Sequence, residues 1–338
     1  MLTYVTIPFR RIIGRLCPMQ GKSNFALPYA GNRGPRRCRP YYQLPRARIP
    51  GAVRPLRLPP RLGAFWFTVD GSMLKRYTLA MTQRKTALFW LLFVGFWWFT
   101  HALGYLIHEY AHSFTAWALG CKANPLALNY GHLTPQNVAF LLDIDENVDY
   151  GSIFAAGKSH LASVVAVAGV LLGNGVSYFV AKGLYSLAKQ RNRQVLGLFA
   201  FLFCLMNVGN FLCYVPVRTF TTHGDMATLE KGLQASPWWV ATVLGIPFAI
   251  AIWHFFSSLL PDACGFLLPC NRIHRLALLA LSSFTVFVFP FGAAGLRGYG
   301  EASHWISTLS SCVLFPVVVI LCWRRKLEQG TRLVEAAP

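Results

Sequence analysis

The chain has 338 residues, of which 54% are hydrophobic and only 13% are charged. Soluble domains usually carry about a quarter charged residues. This much apolar surface exceeds what one globular core can cover. The composition therefore excludes a disordered protein and an ordinary soluble enzyme. The formal net charge is +20, and the nine cysteines show no metal-binding or redox spacing.

Most of the positive charge lies in residues 1–80, which hold 15 Lys or Arg residues and one acid, Asp70. The same segment holds half of the 20 prolines, and proline at that density blocks helix and sheet. We therefore predict a disordered Arg/Pro-rich arm over 1–80, with Met81 as a second candidate for the start of the native protein. The arm lacks the aromatic and basic signature of a nucleic-acid-binding fold, so no nucleic-acid partner is expected.

Six apolar runs are long enough to cross a bilayer. Basic residues cluster at alternate ends of these runs, which places both termini in the cytoplasm. We therefore predict an all-α, multi-pass integral membrane protein of a plasma or inner membrane, surrounded by lipid, with about six transmembrane helices in a domain over 81–326 and a short cytoplasmic tail over 327–338. The runs are 86–107, 161–185, 195–217, 237–260, 275–295 and 304–323.

The first run leads into His108, Glu109 and His112, which form an HExxH motif. On a helix, residues i and i+4 differ by about 40° in azimuth, so both imidazoles can bind one metal ion from the same face. Glu109 is placed to act as a general base on a water molecule at that metal. The sequence therefore predicts His108 and His112 as metal ligands and Glu109 as the catalytic residue.

The apolar surroundings of the motif strengthen this interpretation. Glu109 is the only charged residue between Lys85 and Lys122. An ionisable group inside an apolar helix is costly and indicates a functional site. The alternative is that two histidines and an acid hydrogen-bond to neighbouring helices without binding a metal.

A catalytic zinc ion takes three protein ligands and keeps a fourth position open. Asp225 is the best candidate for the third ligand, because the topology brings the end of the third run to the same side of the membrane as His112. Two other interpretations of Asp225 stay open, an exposed loop acid and a helix N-cap before Met226. His223 is a weaker candidate ligand, or a hydrogen-bond donor beside the metal site.

With these residues in place, the segment 86–230 resembles the site-2 protease family of intramembrane zinc metalloproteases. In that family an HExxH on one membrane helix pairs with an aspartate that follows an asparagine and a proline on a later helix. The matching positions are Asn210, Pro216 and Asp225, and the small-residue segment of the second run, which ends in Asn174, is similar to another family motif. The spacing differs, since Pro216 is far from Asp225 and glycine precedes rather than follows the aspartate.

The resemblance implies a helical bundle with Zn²⁺ sunk below the membrane surface. It also implies that residues near the ligands line the substrate site or support the ligands, and the candidates are His223, Asn210, Arg218 and Asn174. Family members have the site toward the cytoplasm, whereas the charge pattern of this chain places it on the opposite side.

Two further features have a functional and a structural interpretation. His101 shares the helix face of His108, so it either lines a water path to the metal or packs as a hydrogen-bonded core histidine. The segment 121–152 contains helix-breaking Pro125 and Pro135, and we expect short strands that a substrate can extend.

The leading hypothesis is therefore a membrane-embedded zinc metalloendopeptidase, a hydrolase that cuts a membrane protein or peptide within or near the bilayer. The alternative is a non-peptidase polytopic protein, a transporter or scaffold, with a structural or degenerate metal site. A membrane di-iron oxidase is disfavoured, because the remaining histidines are scattered singly rather than grouped in further boxes.

Overall fold

The computed structural model describes residues 71–322, apart from Leu142, 269–271 and Arg297. The described chain is helical, with a short 3-10 turn at Ala294–Leu296. The helices are α1 (Gly71–Ala118), α2 (Pro135–Phe140), α3 (Tyr150–Ala155), α4 (Ser159–Gln190), α5 (Gln194–Val217), α6 (Asp225–Leu233), α7 (Pro237–Leu267), α8 (Arg272–Phe287) and α9 (Glu301–Cys322).

Five of these helices are long and apolar enough to cross a bilayer: α1 from Thr86 onward, α4, α5, α7 and α9. Large apolar side chains such as Leu91 and Trp253 are exposed on their outer faces, where lipid replaces water as the solvent. The all-α class and the multi-pass integral membrane location are therefore confirmed.

Among the described residues the number of candidate spans is five and not six, because the run 275–295 does not form a helix long enough to span. Its helix α8 has 16 residues and ends at Phe287, before Pro290 and Gly292. Proline removes a backbone donor and interrupts the helix. Sixteen helical residues cover about 24 Å, less than the ~30 Å hydrocarbon core. Instead α8 packs inside the bundle, where Thr285 accepts a 3.0 Å hydrogen bond from the Trp97 indole of α1.

The boundary predicted between the arm and the membrane domain falls inside α1, because that helix begins at Gly71. The last proline of the arm is Pro60, so nothing in 72–85 opposes the continuation of the first helix toward its N-terminal side. The rest of the predicted arm, 1–70, and the predicted tail, 327–338, lie outside the described residues.

Helix α5 is the centre of the bundle. Its side chains are buried almost continuously from Gly197 to Leu212, and it packs against α1, α4, α7 and α8. Near its end, at Val215, the backbone leaves the helical conformation (φ −137°, ψ 112°) just before Pro216, as expected for a residue that precedes proline. This break turns the chain sharply toward α6.

Helix α4 widens into π-helical turns over Gly169–Gly175, where it passes closest to α1. Local π-helical turns are rare and are frequent at functional sites. A Cβ atom at Gly173 would lie 2.8 Å from the Cα of His108, so the two backbones touch at this level. The small residues of this face of α4 thus allow the close approach to α1.

The segment 121–149 folds back along α1. Tyr105 donates a hydrogen bond to the carbonyl of Ile144 (3.2 Å), and Nε2 of the buried His101 lies 3.1 Å from the carbonyl oxygen of Phe140. Because His101 is held in this way, the packing interpretation of this residue is the one that fits. Irregular backbone at this depth is tolerated where protein covers it.

The strands expected in this segment are reduced to one antiparallel pairing. The amide and carbonyl of Asn129 exchange hydrogen bonds of 3.1 and 3.0 Å with those of Asp145. Within the described part of 121–152, the remaining regular structure is helical, in α2 and α3.

Helix α6 is docked against α4 by a glycine contact. A Cβ atom at Gly232 would overlap the hydroxyl of Ser163, which donates a 3.1 Å hydrogen bond to the carbonyl of Leu229. The neighbouring Glu230 is buried, its Oε1 atom has no hydrogen-bond partner, and burial raises the pKa of its carboxyl from 4.5 to about 7. A folded-state pKa above the unfolded value means that the folded chain binds the extra proton between these two pH values.

We therefore expect Glu230 to lower the free energy of unfolding as pH rises from about 4.5 through about 7, with the loss complete above the folded-state pKa. Glu230→Gln removes this cost. Its thermal midpoint in detergent will match that of the wild type near pH 4.5 and exceed it at pH 8. Glu301→Gln, at an exposed acid, is the matched control. An equal midpoint for Glu230→Gln and wild type at both pH values contradicts the prediction.

Candidate metal centre

Three side chains from two helices meet inside the bundle. Nε2 of His108 and Nε2 of His112, one turn apart on α1, are 3.0 Å from each other. Oδ2 of Asp225, the first residue of α6, lies 3.1 Å from the first nitrogen and 3.2 Å from the second. The three atoms thus form a nearly equilateral triangle.

The orientation of the His112 ring fixes its protonation. Its Nδ1 atom lies 2.6 Å from the carbonyl oxygen of Val165 on α4. A carbonyl oxygen only accepts hydrogen bonds, so Nδ1 carries the proton. When the ring is neutral, its unprotonated Nε2 points into the triangle.

A relay of two asparagines fixes His108 in the same way. Phe203 O accepts a 2.7 Å hydrogen bond from Asn207 Nδ2, which turns Asn207 Oδ1 toward Asn174 Nδ2 at 3.1 Å. Asn174 Oδ1 is then left to accept from His108 Nδ1 at 2.7 Å. Because a main-chain carbonyl ends the relay, each amide has one consistent orientation. The unprotonated Nε2 of His108 also faces the triangle.

With both rings neutral, the triangle contains acceptor atoms only, two imidazole lone pairs and one carboxylate oxygen. The rings of His108 and His112 are almost fully buried, with 2% and 0% of their surface exposed, so water does not separate these atoms. A proton can join two of the three atoms, whereas a divalent cation binds all three. Metal-bound histidines commonly donate their other N–H to a carbonyl oxygen, as both rings do in this chain. These residues are a candidate metal site.

The carboxyl of Asp225 is adapted to its position. Burial alone would raise its pKa, but the two imidazoles beside it lower the pKa well below its usual range. Asp225 is therefore an anion, as a metal ligand must be. It is neither an exposed loop acid nor the helix cap, because its side chain is 17% exposed and Gly224 occupies the cap position.

The backbone of α4 closes one side of the triangle. A Cβ atom at Gly169 would overlap Nε2 of His112 and lie 2.6 Å from Nε2 of His108. Only glycine leaves room for the two imidazoles and an ion between them. The π-helical turns bring this glycine, and Asn174 five residues later, to the same side of α4.

Glu109 is buried beside the triangle without belonging to it. The charged groups that act on its carboxyl are His112, Asp225 and Glu146, the last from the segment that folds back along α1. Glu146 is buried as well. A carboxyl group thus lies next to the three candidate ligands and is not one of them.

The other predicted residues have different positions. Asn174 hydrogen-bonds to His108, whereas Asn210 makes no side-chain hydrogen bond to the cluster among the described residues. The asparagine of α5 that takes part is Asn207, three residues earlier, which the sequence interpretation missed. His223 is exposed and stacks on Tyr299 outside the triangle, with ring centroids 4.9 Å apart.

Arg218, the remaining candidate, lies on the turn after α5. One aromatic ring, that of Tyr214, separates it from His108, on which Tyr214 stacks at 4.6 Å. Both Arg218 and Tyr214 are therefore neighbours of the cluster rather than members of it.

No protein-family model, curated protein or solved structure matches this chain. What the chain itself shows is a polytopic helical membrane protein with a buried His–His–Asp cluster.

Substitution of Gly169 tests the steric requirement of the site. We expect Gly169→Ala to lose most of its bound metal, because the added methyl group occupies the space of the ligand atoms. Gly183→Ala, on the same helix, places its methyl group in open space and will keep wild-type metal content. The measurement is elemental analysis of protein purified in detergent without chelators. Full metal content in the Gly169 variant refutes the proposed packing.

The asparagine relay makes a second prediction. Asn207→Leu keeps the side-chain volume and removes the hydrogen bonds that orient Asn174, so we expect metal affinity to fall by about 10-fold. Asn210→Leu, three residues along the same helix, is the matched control and will leave affinity unchanged. Affinity is measured by competition with a chromophoric chelator. An equal effect of both variants would falsify the role of the relay.

Proposed function

We propose that this chain is a membrane-embedded zinc metalloendopeptidase with a mechanism similar to that of the site-2 protease family. The observation that carries the proposal is the triangle of Nε2, Nε2 and Oδ2 with the buried carboxyl of Glu109 beside it. The proposed catalytic unit lies within 81–326, and the substrate is a membrane protein or a peptide at the membrane.

The donor set suits zinc. Zinc binds imidazole nitrogen and carboxylate oxygen at about 2.0–2.2 Å, and tetrahedral geometry then separates neighbouring donor atoms by about 3.3 Å. The observed separations of 3.0 to 3.2 Å are close to this value. Two histidines and one carboxylate also match the ligand set of zinc peptidases, in which a fourth position stays open.

The residues around the ligands have distinct proposed roles. When bound, zinc polarises the scissile carbonyl and makes water a stronger acid. Glu109 accepts a proton from the attacking water, whose oxygen bonds to the carbonyl carbon. Glu109 then gives that proton to the nitrogen as the C–N bond breaks, which regenerates its carboxylate.

The position of the cluster along α1 constrains the substrate. His108 lies ten residues before the end of α1 at Ala118, which is about 15 Å along the helix axis. A carbonyl that reaches this depth must leave the hydrogen bonds of its own helix, because each helical carbonyl is already bonded to an amide. The proposed substrate is therefore a locally unwound transmembrane segment or an extended peptide.

The test separates catalysis from metal binding. Glu109→Gln keeps the ligands and removes the base, so we expect normal zinc content and cleavage reduced by about 100-fold or more. Asp225→Ala will lose both zinc and cleavage. The assay uses quenched-fluorescence peptides with transmembrane sequences in detergent.

Glu301→Gln, an exposed acid at the start of α9, is the control and will cleave at the wild-type rate. Cleavage by Glu109→Gln at that rate refutes the catalytic assignment. Zinc without any cleavage by the wild type favours the alternative, a non-peptidase membrane protein with a structural metal site.

A further inference from the structure

A half-buried arginine with a buried Nε atom contacts two aromatic rings next to the cluster. The Cζ atom of Arg218 lies 5.3 Å from the ring centroid of Tyr214 and 4.7 Å from that of Tyr299. Tyr214 belongs to the end of α5 and Tyr299 to the turn before α9, so the two rings come from distant parts of the chain. Cation–π contacts of this kind hold a guanidinium in a fixed plane.

Arg218 lacks an anionic partner within the described part of the chain. No carboxylate of residues 71–322, outside the gaps at Leu142, 269–271 and Arg297, forms an ion pair with it. Its Nε atom is buried and makes no hydrogen bond. A buried N–H group without a hydrogen-bond partner is costly, so the guanidinium can gain free energy by binding an anion.

The geometry selects the chemistry of that anion. The two tyrosine rings contact the guanidinium through their faces, and within the described residues its N–H groups donate no hydrogen bond. A planar edge of N–H donors matches a carboxylate, which it binds through two parallel hydrogen bonds.

The arginine is close enough to the metal centre to act on the same molecule. Tyr214 contacts Arg218 and also stacks on the ring of His108, with an angle of 20° between the two ring planes. On the other side, Tyr299 stacks on His223, which is exposed. Arg218 thus lies between the buried ligands and the protein surface.

We propose that Arg218 binds a carboxylate of the substrate and so positions the neighbouring peptide bond at the metal cluster. This inference rests on the proposed function, because the cluster defines which bond is cut. The substrate class is then a peptide with an acidic side chain or a free C-terminal carboxylate near the scissile bond. Arg218 is a binding residue in this scheme and takes no proton.

The experiment uses a ligand that reaches both sites at once. The full chain in detergent is loaded with Co²⁺, whose visible absorption reports ligands at the metal. Straight-chain dicarboxylates with two to six methylene groups are compared with monocarboxylates of the same length. One carboxylate binds the metal, and the second reaches Arg218 only at a suitable length. We expect one dicarboxylate to bind about 10- to 100-fold more tightly than its monocarboxylate partner.

Two variants assign the effect to the arginine. Arg218→Gln will lose the advantage of the dicarboxylate and keep monocarboxylate binding. Arg193→Gln, at an exposed arginine between α4 and α5, will keep the advantage. If Arg218→Gln does not fold, the wild-type series decides. The proposal is overturned if, at every chain length, the wild type binds the dicarboxylate no more tightly than the monocarboxylate. Retention of the advantage in folded Arg218→Gln overturns it as well.

The outcomes also separate this inference from the proposed function. A chain that binds no metal overturns both. A chain that binds metal and shows no dicarboxylate advantage loses only the role of Arg218. A pair of competing peptides, one with an internal Asp and an amidated end and one with Asn and a free end, identifies which carboxylate Arg218 prefers. If neither peptide competes better than an uncharged amidated control, a peptide carboxylate is not the ligand and the proposal fails.

Discussion

Three hydrogen-bond acceptors that face one another in an apolar bundle repel unless a cation lies between them. In this chain, hydrogen bonds to the Nδ1 atom of each histidine turn the two Nε2 atoms toward each other. The carbonyl of Val165 accepts the N–H of His112, and the asparagine relay that begins at the carbonyl of Phe203 accepts the N–H of His108. The cluster therefore offers a place for a positive charge, either a proton that joins two of the three atoms or a cation that binds all three. Glu109 and Arg218 acquire their proposed roles from their places beside that charge.

The sequence predicts the parts of the site that short spacings fix. His108 and His112 face one way because helical geometry places residues i and i+4 together. Asp225 joins them because the order of the spans returns the chain to the same level, which the alternation of basic loops already indicates. The all-α class follows from the apolar runs alone. For these features, local pattern and topology are sufficient.

The features that the sequence did not predict depend on rotation about a helix axis or on contacts between distant residues. Asn207 and Asn210 are both polar residues in an apolar run, and hydropathy does not tell which one faces Asn174. Tyr299 reaches Arg218 across a turn whose path no motif encodes. The run 275–295 is apolar enough to span, but Pro290 ends its helix and shortens it, which a composition window averages away.

The glycine contact between α4 and α1 also limits how the sequence can change. One inserted or deleted residue between Val165 and Gly169 rotates the rest of α4 by about 100° relative to α1. The carbonyl that orients one imidazole and the amide that orients the other then no longer face α1 together. Substitutions on the lipid-facing side of this stretch are tolerable, while changes in its length are not. The number of residues from 165 to 174 is thus as strict a requirement as the identities of Gly169 and Asn174.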